Sequence, residues 1–459
     1  MSTNAISATI FRQYDVRGIV GTDLTESVAF ALGRGFARTL ADRGIQGAVA
    51  VGRDNRPHGT ALRDALVRGL TESGYDVVDV GVVPTPVLYW TTHHEPVVAG
   101  IQITGSHNPP EYNGFKISIG HGSMHGEEIQ ELYRTIVAGR VVDGRGSVRV
   151  AAVLDRYVAD MVARTGPLPR KLKVVYDCGN GVGAVVAPQL MAALGLDDAI
   201  GLFTESDGSF PNHHPDPTVP ENLEDLIHAV RAHHADLGIA FDGDADRIGV
   251  VDGQGRIIWG DHILILYARD VLARTGKGQP IIFDVKCSQA LPDAITAAGG
   301  VPIMWKTGHS LIKDKMKETH APIAGEMSGH MFFTEGFYGH DDALYAAARL
   351  LRIVAESGRS VDAMLSDVPH YVSTPELRIE VEESRKFALV DEAVAAFKAT
   401  HDVIDVDGVR VLFGDGWGLM RASNTQPVIV MRFEARTPER LAEIKEEMDS
   451  WLRARGVAV

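Results

Sequence analysis

Ala48-Val49-Ala50-Val51-Gly52-Arg53-Asp54 is an apolar strand that runs into an aspartate, and Leu62, Leu66 and Leu70 follow it at intervals of four. That interval puts the three leucines on one face of a helix, which must bury them against a sheet. Tyr75 to Val82 then reads as the next strand. Strand, helix and strand in succession predict parallel strands joined by a crossover helix. The same layout returns at Val174 to Asp177 and at Ile281 to Asp284, each an apolar strand ending in Asp before a polar or glycine-containing turn. In the last of these Ser288 is the expected N-cap, a helix follows around Leu291 to Ala298, Gly299-Gly300 stops it, and Val301 to Trp305 is a strand. The three aspartates lie 123 and 107 positions apart. Three similar mixed α/β domains of about 110 residues each are therefore expected.

After Pro369 the pattern changes. A strand (Leu377 to Val381), a helix (about Arg385 to Thr400), close-set strands at Val403 to Phe413, Leu419 and Val428 to Phe433, and a final helix capped by Thr437-Pro438 describe a smaller α+β domain. The expected division is 1–151, 152–255, 256–369 and 370–459. No low-complexity linker separates these units, so they should pack around shared clefts.

Composition narrows the function classes. The 459 residues carry 45 Lys and Arg against 60 Asp and Glu, a formal charge of −15, which argues against nucleic acid or an anionic membrane as partner. No apolar run approaches the ~18 residues of a membrane span, and the first ten residues lack a signal-peptide pattern. A cytoplasmic location is expected. Two distant cysteines, Cys178 and Cys287, have no metal-site spacing and read as buried reduced thiols.

Four loops carry chemistry. Thr104-Gly105-Ser106-His107-Asn108-Pro109-Pro110 sets a serine on a sharply bent turn, expected to be exposed, where Oγ could accept or donate a phosphoryl group. A Ser106–His107 dyad is not expected, since neighbouring side chains usually diverge and no Gly-x-Ser-x-Gly elbow is present. Lys116 follows on a strand-like approach and could stabilise transferring charge, or shuttle a proton if its pKa were lowered. Asp242-Gly243-Asp244-Ala245-Asp246-Arg247 joins two apolar strands, and its three alternate carboxylates repel one another unless a hard cation neutralises them. The EF-hand pattern fails, with Arg247 where Gly is needed and Gly253 where Glu is needed. An aspartyl-phosphate enzyme of the haloacid dehalogenase type expects Thr or Val where Asp246 stands. All-oxygen donors favour magnesium. Gly325-Glu326-Met327-Ser328-Gly329-His330 offers a carboxylate, a hydroxyl and an imidazole suited to vicinal sugar hydroxyls. Arg421-Ala422-Ser423-Asn424-Thr425-Gln426-Pro427 supplies the donors a phosphate dianion requires.

In this order, and with Phe11-Arg12-Gln13-Tyr14-Asp15-Val16-Arg17-Gly18 near the start, the loops resemble the α-D-phosphohexomutase family over essentially the whole chain. Met327 resembles its phosphomannomutase/phosphoglucomutase subgroup, where glucosamine mutases usually show glutamine. The four divisions then become domains with a phosphoserine loop, a metal loop, a sugar-binding loop and a phosphate-binding loop. The resemblance implies a phosphorylated Ser106 lined by His107 and Lys116, magnesium held by Asp242, Asp244, Asp246 and the phosphorylated Ser106, and Arg247 beside them. It implies sugar contacts from Glu326, Ser328 and His330, and a distal phosphate site at Arg421, Ser423, Asn424 and Thr425. Tyr14 and Arg17 are implicated near the phosphoserine, Lys286 after the third-domain strand, and Gly308 and His309 in the substrate cleft. Gly105 stands where alanine is frequent and Glu111 where aspartate is common, and neither removes a group the chemistry needs.

The implied activity is phosphoryl transfer between O1 and O6 of mannose and glucose phosphates, with a hexose 1,6-bisphosphate as intermediate and activator. The bisphosphate must turn end for end, since one donor cannot reach both ends of the sugar in a single pose. Hexose phosphates are the expected partners, met by a monomer or a dimer. A phosphoglucosamine mutase, a phosphatase using Asp242 as nucleophile, and a silent sugar-phosphate binder are the alternatives.

Overall fold

The computed structural model describes residues 6–423 and 427–459. Three mixed sheets follow one another along the chain. In the first, Val16–Ile19, Tyr112–Ile119, Val97–Ile103, Ala48–Arg53, Val77–Val82 and Val148–Val150 lie side by side in that order, with Gly122–Ser123 paired on Tyr112–Ile119. The second runs Ile257–Ile258, Ile248–Asp252, Leu237–Phe241, Val174–Asp177 and Ile200–Leu202. The third runs Val301–Trp305, Pro280–Asp284, Ile323–Gly325 and Met331–Phe333.

The strand–helix–strand reading holds for the parallel part of each sheet, where Leu62, Leu66 and Leu70 are buried on the helix Gly59–Thr71. Each sheet then departs from it in the same way. The strands Val97–Ile103, Leu237–Phe241 and Ile323–Gly325, all parallel to their inner neighbour, are each followed by an antiparallel strand, Tyr112–Ile119, Ile248–Asp252 or Met331–Phe333. The intervening loops are too short to hold the dozen or more residues of a crossover helix, so the chain can only turn back on itself. The serine, metal and sugar loops are these three turns.

Ser288 sits one residue ahead of the assigned cap Gln289, and its hydroxyl accepts from the Ala290 N–H. The last sheet is antiparallel throughout, in the order Val372–Ser373, Val428–Ala435, Gly416–Ala422, Val409–Leu412 and Asp402–Ile404, with Leu377–Glu380 also on Val428–Ala435. It packs against the helices Lys386–Lys398 and Pro438–Arg453, and Thr437 caps the second by accepting from the Arg440 N–H. One apolar cluster runs through all three α/β units, from Trp90 through Tyr157 to Tyr345, so they share a core. The C-terminal unit has its own core and meets the third through Val285, Trp417 and Leu419. Both cysteines are buried and unpaired. No helix among the described residues is long and apolar enough to cross a membrane.

Candidate active site

All three chemical loops leave the carboxyl end of a parallel strand, where open α/β sheets present their ligand crevices. Ser106 Oγ lies 3.2 Å from Asp242 Oδ2 and 3.2 Å from His107 Nδ1. Two expectations change here. The serine is only 5 % exposed, because the metal loop closes over it: a Cβ on Gly243 would meet the Ser106 carbonyl oxygen at 2.3 Å. His107 does reach Ser106, because Ser106 takes φ +50°, which folds the two side chains toward one another instead of letting them diverge. Burial, reinforced by the Arg247 charge, holds the imidazole of His107 well below its ordinary pKa and therefore neutral.

The turn is held from beneath by Arg56, whose side chain is 0 % exposed. Its guanidinium donates to the carbonyls of Ser106, Asn108, Pro109 and Tyr112 and to Asp54. Asp54 also accepts from the Thr104 hydroxyl and the Gly105 N–H, so the aspartate that marks the first strand is a support of the serine turn. Sequence reading missed Arg56, for which the only signal was its place two residues after that aspartate. Replacing Arg56 by methionine strands four buried carbonyls and one carboxylate, and we expect a loss of about 3–5 kcal/mol. Lysine should not rescue it, lacking the planar fork. Urea unfolding midpoints of the two variants check this, and an unshifted midpoint for either contradicts it.

Asp242, Asp244 and Asp246 are fully buried, with one oxygen of each inside a common sphere 4.8 Å across. Asp242 is pushed up to about 8, by burial first and by Asp246 and Asp244 beyond it, against the pull of Arg247. Asp244 is held below the usual carboxylate range, burial being outweighed by the Lys116 ammonium 2.7 Å away and by a hydrogen bond from Thr85. Lys116 also pairs with Asp246. Burial opposes its charge, but Asp244 and Asp246 prevail and raise its pKa well above the ordinary value, the reverse of the lowered pKa a proton shuttle needs. Arg247 joins Asp242 at 3.1 Å to Asp216 at 3.3 Å. Asp244 Oδ1 and Asp246 Oδ1 are buried with no hydrogen-bond partner.

Across the cleft, Glu326 accepts from the Gly308 N–H at 2.8 Å and the Ser328 hydroxyl at 3.1 Å. Burial raises its pKa, with Asp284 adding to the effect. Gly308 has φ +134° and a Cβ there would meet the Tyr14 ring at 2.6 Å, so both its conformation and its space demand glycine. Tyr14 donates to the Thr307 carbonyl and its ring lies 6.0 Å from His309, which places it on the third-domain side of the cleft. Arg17 donates to Asn108 in the serine turn. His330, grouped by sequence with Glu326, turns toward the metal loop, its Nδ1 3.2 Å from Asp341 and 3.7 Å from Asp246. Burial works against its charge, but Asp246 and Asp341 raise it to about 9. His309 Nδ1 is 3.7 Å from the same Asp341. Asp341, which the sequence reading did not mark, thus gathers both histidines.

The last loop is tied in through Asp407, which accepts from the Thr307 N–H at 3.1 Å and from Arg421 Nε at 2.9 Å. Lys286 lies 3.3 Å from Glu376 and 3.8 Å from Asp284. Asp284 accepts from the Met327 N–H and the Thr307 hydroxyl, doing for the sugar loop what Asp54 does for the serine turn. Ser423 lies at the end of the described stretch, and the expected phosphate ligands Asn424 and Thr425 fall outside the described residues. Contacts run from Ser106 through Asp242, Asp246, His330, Glu326, Gly308 and its neighbour Thr307 to Asp407 and Arg421.

Comparison with known proteins extends over the same span. Residues 8–140, 155–255, 259–371 and 376–450 match, in order, phosphoglucomutase/phosphomannomutase alpha/beta/alpha domains I, II and III and the C-terminal domain. A phosphomannomutase/phosphoglucomutase from Pseudomonas aeruginosa is 49 % identical over 453 residues, 98 % of this chain and 96 % of that one. A phosphoglucomutase from Neisseria gonorrhoeae is 47 % identical over 96 % of each. The crystal structure of a phosphoglucomutase/phosphomannomutase family protein from Burkholderia thailandensis superposes with TM-score 0.92 at 46 % identity, covering 98 % of both chains.

Proposed function

This chain belongs to the phosphoglucomutase/phosphomannomutase family, and from that premise we propose that it moves a phosphoryl group reversibly between O1 and O6 of mannose and glucose phosphates. The observation that carries the site assignment is Ser106 Oγ, 3.2 Å from Asp242 in a buried carboxylate cluster with two unpartnered oxygens. Ser106 in its phosphorylated form gives the phosphoryl group to the free O6 or O1 of a bound monophosphate, breaking its Oγ–P bond as the sugar O–P bond forms, and the proton of that sugar hydroxyl ends on the freed Oγ. The resulting hexose 1,6-bisphosphate turns over in the cleft and returns its other phosphate to Ser106. The serine proton then has an acceptor in reach, the neutral His107 ring, whose Nδ1 lies 3.2 Å from Oγ.

The family uses a metal ion, and Asp242, Asp244 and Asp246 are the residues that would hold it here. We take it to be magnesium, because the donors are all oxygen and Asp244 Oδ1 and Asp246 Oδ1 are left for a cation. A divalent cation held by these three carboxylates would offset charge on the transferring phosphoryl group. Lys116 adds fixed positive charge from the same side. Arg421, with Ser423, Asn424 and Thr425, is proposed to hold the phosphate that is not reacting, and Lys286 lies toward the same end. The location proposed is the cytoplasm, with no membrane partner.

Glu326 is placed to bind O3 and O4, whose positions roughly exchange when the ring turns over. Mannose and glucose differ at C2, so both should be accepted. We expect mannose 1-phosphate and glucose 1-phosphate to be converted with kcat/KM values within about tenfold of one another, and glucosamine 1-phosphate more slowly, the 2-substituent being worth about 1–3 kcal/mol. A coupled assay on the three sugars under identical conditions decides it, and net release of inorganic phosphate would instead indicate a phosphatase. Glu326→Gln should lower kcat/KM by roughly a hundredfold for both accepted sugars, the loss of charge-assisted hydrogen bonds to two hydroxyls. An effect confined to one sugar would contradict the symmetric role.

A further inference from the structure

Behind the metal loop, between the first and third domains, lies a cavity of about 270 Å³ that none of Ser106, the three aspartates or Glu326 lines. Its walls come from the helix Thr85–His94 and the strand Tyr112–Ile119 on one side and the helix His309–Thr319 and the 334–340 turn on the other. Two lysines and four histidines line it, and no carboxylate does. In a chain with 60 acidic residues and a charge of −15 that composition is a local reversal of sign.

The charges on its wall are incompletely answered. Lys313 pairs with Asp341 at 3.1 Å, but that carboxylate is shared with His330 and His309. Lys317, its side chain 59 % exposed, has Asp314 only at 3.7 Å, and Asp314 already accepts from His125. His340 is 5 % exposed and neither of its ring nitrogens makes a hydrogen bond, the nearest charge being Asp342 at 3.7 Å. His93 stacks on His121 with centroids 3.8 Å apart and carries burial, His121 and His340 all acting to lower its pKa, to about 3. A buried polar group without a partner is costly, and a lining with two ammonium groups, imidazole and hydroxyl donors and no carboxylate suits an anion. A metal fits less well, since among the described residues the only clusters with converging ligand atoms are at the metal loop.

We propose that this cavity binds a small phosphate-bearing anion, inorganic phosphate or a sugar monophosphate, between Lys317 and the histidines. The volume lies just below the range of drug-sized ligand sites, which suits an occupant of that size. The bound anion stands one side chain from the reaction site, because Lys313 faces both the cavity and Asp341.

The test is calorimetric titration of inorganic phosphate, and separately of glucose 6-phosphate, into the full chain, Lys317→Glu and His121→Phe. Lys317 is a surface side chain and His121→Phe keeps the ring stack, so both variants should fold and keep the kcat/KM of the parent for glucose 1-phosphate. Two classes of site are expected in the parent for at least one ligand, with one class weakened about tenfold or more by Lys317→Glu and also weakened by His121→Phe. Weakening seen only with inorganic phosphate identifies the free ion as occupant, and weakening seen only with glucose 6-phosphate identifies the ester. A single class of site for both ligands, or two classes that neither substitution changes, overturns the proposal.

Discussion

Replacing Ser106 by alanine lowers turnover of mannose and glucose phosphates by roughly 10⁴-fold or more, the scale on which enzymes lose rate when a nucleophile is deleted. The change is unusually clean. Serine already takes φ +50° at this position, so alanine, with the same Cβ, adds no new backbone strain. The contacts that hold the turn, from Arg56 to four carbonyls and from Asp54 to Thr104 and Gly105, do not involve Oγ and survive. What is removed is one oxygen that faces Asp242, His107 and Asp244. Intact-mass analysis after incubation with glucose 1,6-bisphosphate should show one added phosphoryl group on the parent chain and none on Ser106→Ala. Near-normal turnover by the variant, or a phosphoryl group retained on another residue, would remove Ser106 from the role given to it.

Which parts of this site the sequence reveals follows from the range over which each interaction acts. The loops announce themselves because their chemistry is concentrated in a few adjacent residues, as in Asp242-Gly243-Asp244-Ala245-Asp246-Arg247. The strand-ending aspartates are legible as a repeat, yet their work is not: Asp54 and Asp284 support loops 50 and 43 residues further on, and only the fold brings them there. Asp341 and Asp407 are invisible for the same reason, each meeting partners on other elements. The parallel strand–helix–strand units are legible, but the antiparallel strand that follows each is not, because periodicity locates a strand and says nothing of its direction. Loop length was the available signal, since a turn as short as 242–247 cannot carry a crossover. The pKa directions were the least legible of all. Nothing in the sequence around Lys116 or His330 shows the carboxylates that raise both, Asp244 and Asp246 for the lysine and Asp246 and Asp341 for the histidine.

Withdrawing divalent metal should abolish turnover and, independently of turnover, lower the thermal midpoint. In the metal-free arrangement three buried carboxylates stand together, answered directly by Lys116 and Arg247 and at 3.7 Å by His330. These cations do not finish the task, for Asp242 is still pushed up to about 8 and Asp244 Oδ1 and Asp246 Oδ1 have no hydrogen-bond partner. A cation that binds the folded cluster and not the unfolded chain stabilises the fold by mass action. Chelated protein should therefore melt lower than protein in excess magnesium, with the gap widening as magnesium rises above its dissociation constant. Asp244→Asn should abolish most of the magnesium-dependent gain, and because the Asp244 charge answers the buried Lys116 ammonium the chelated variant should also melt below the chelated parent. A melting curve indifferent to magnesium in the parent would show that Lys116, Arg247 and His330 already satisfy the triplet, and the aspartates would then be scaffolding for those side chains.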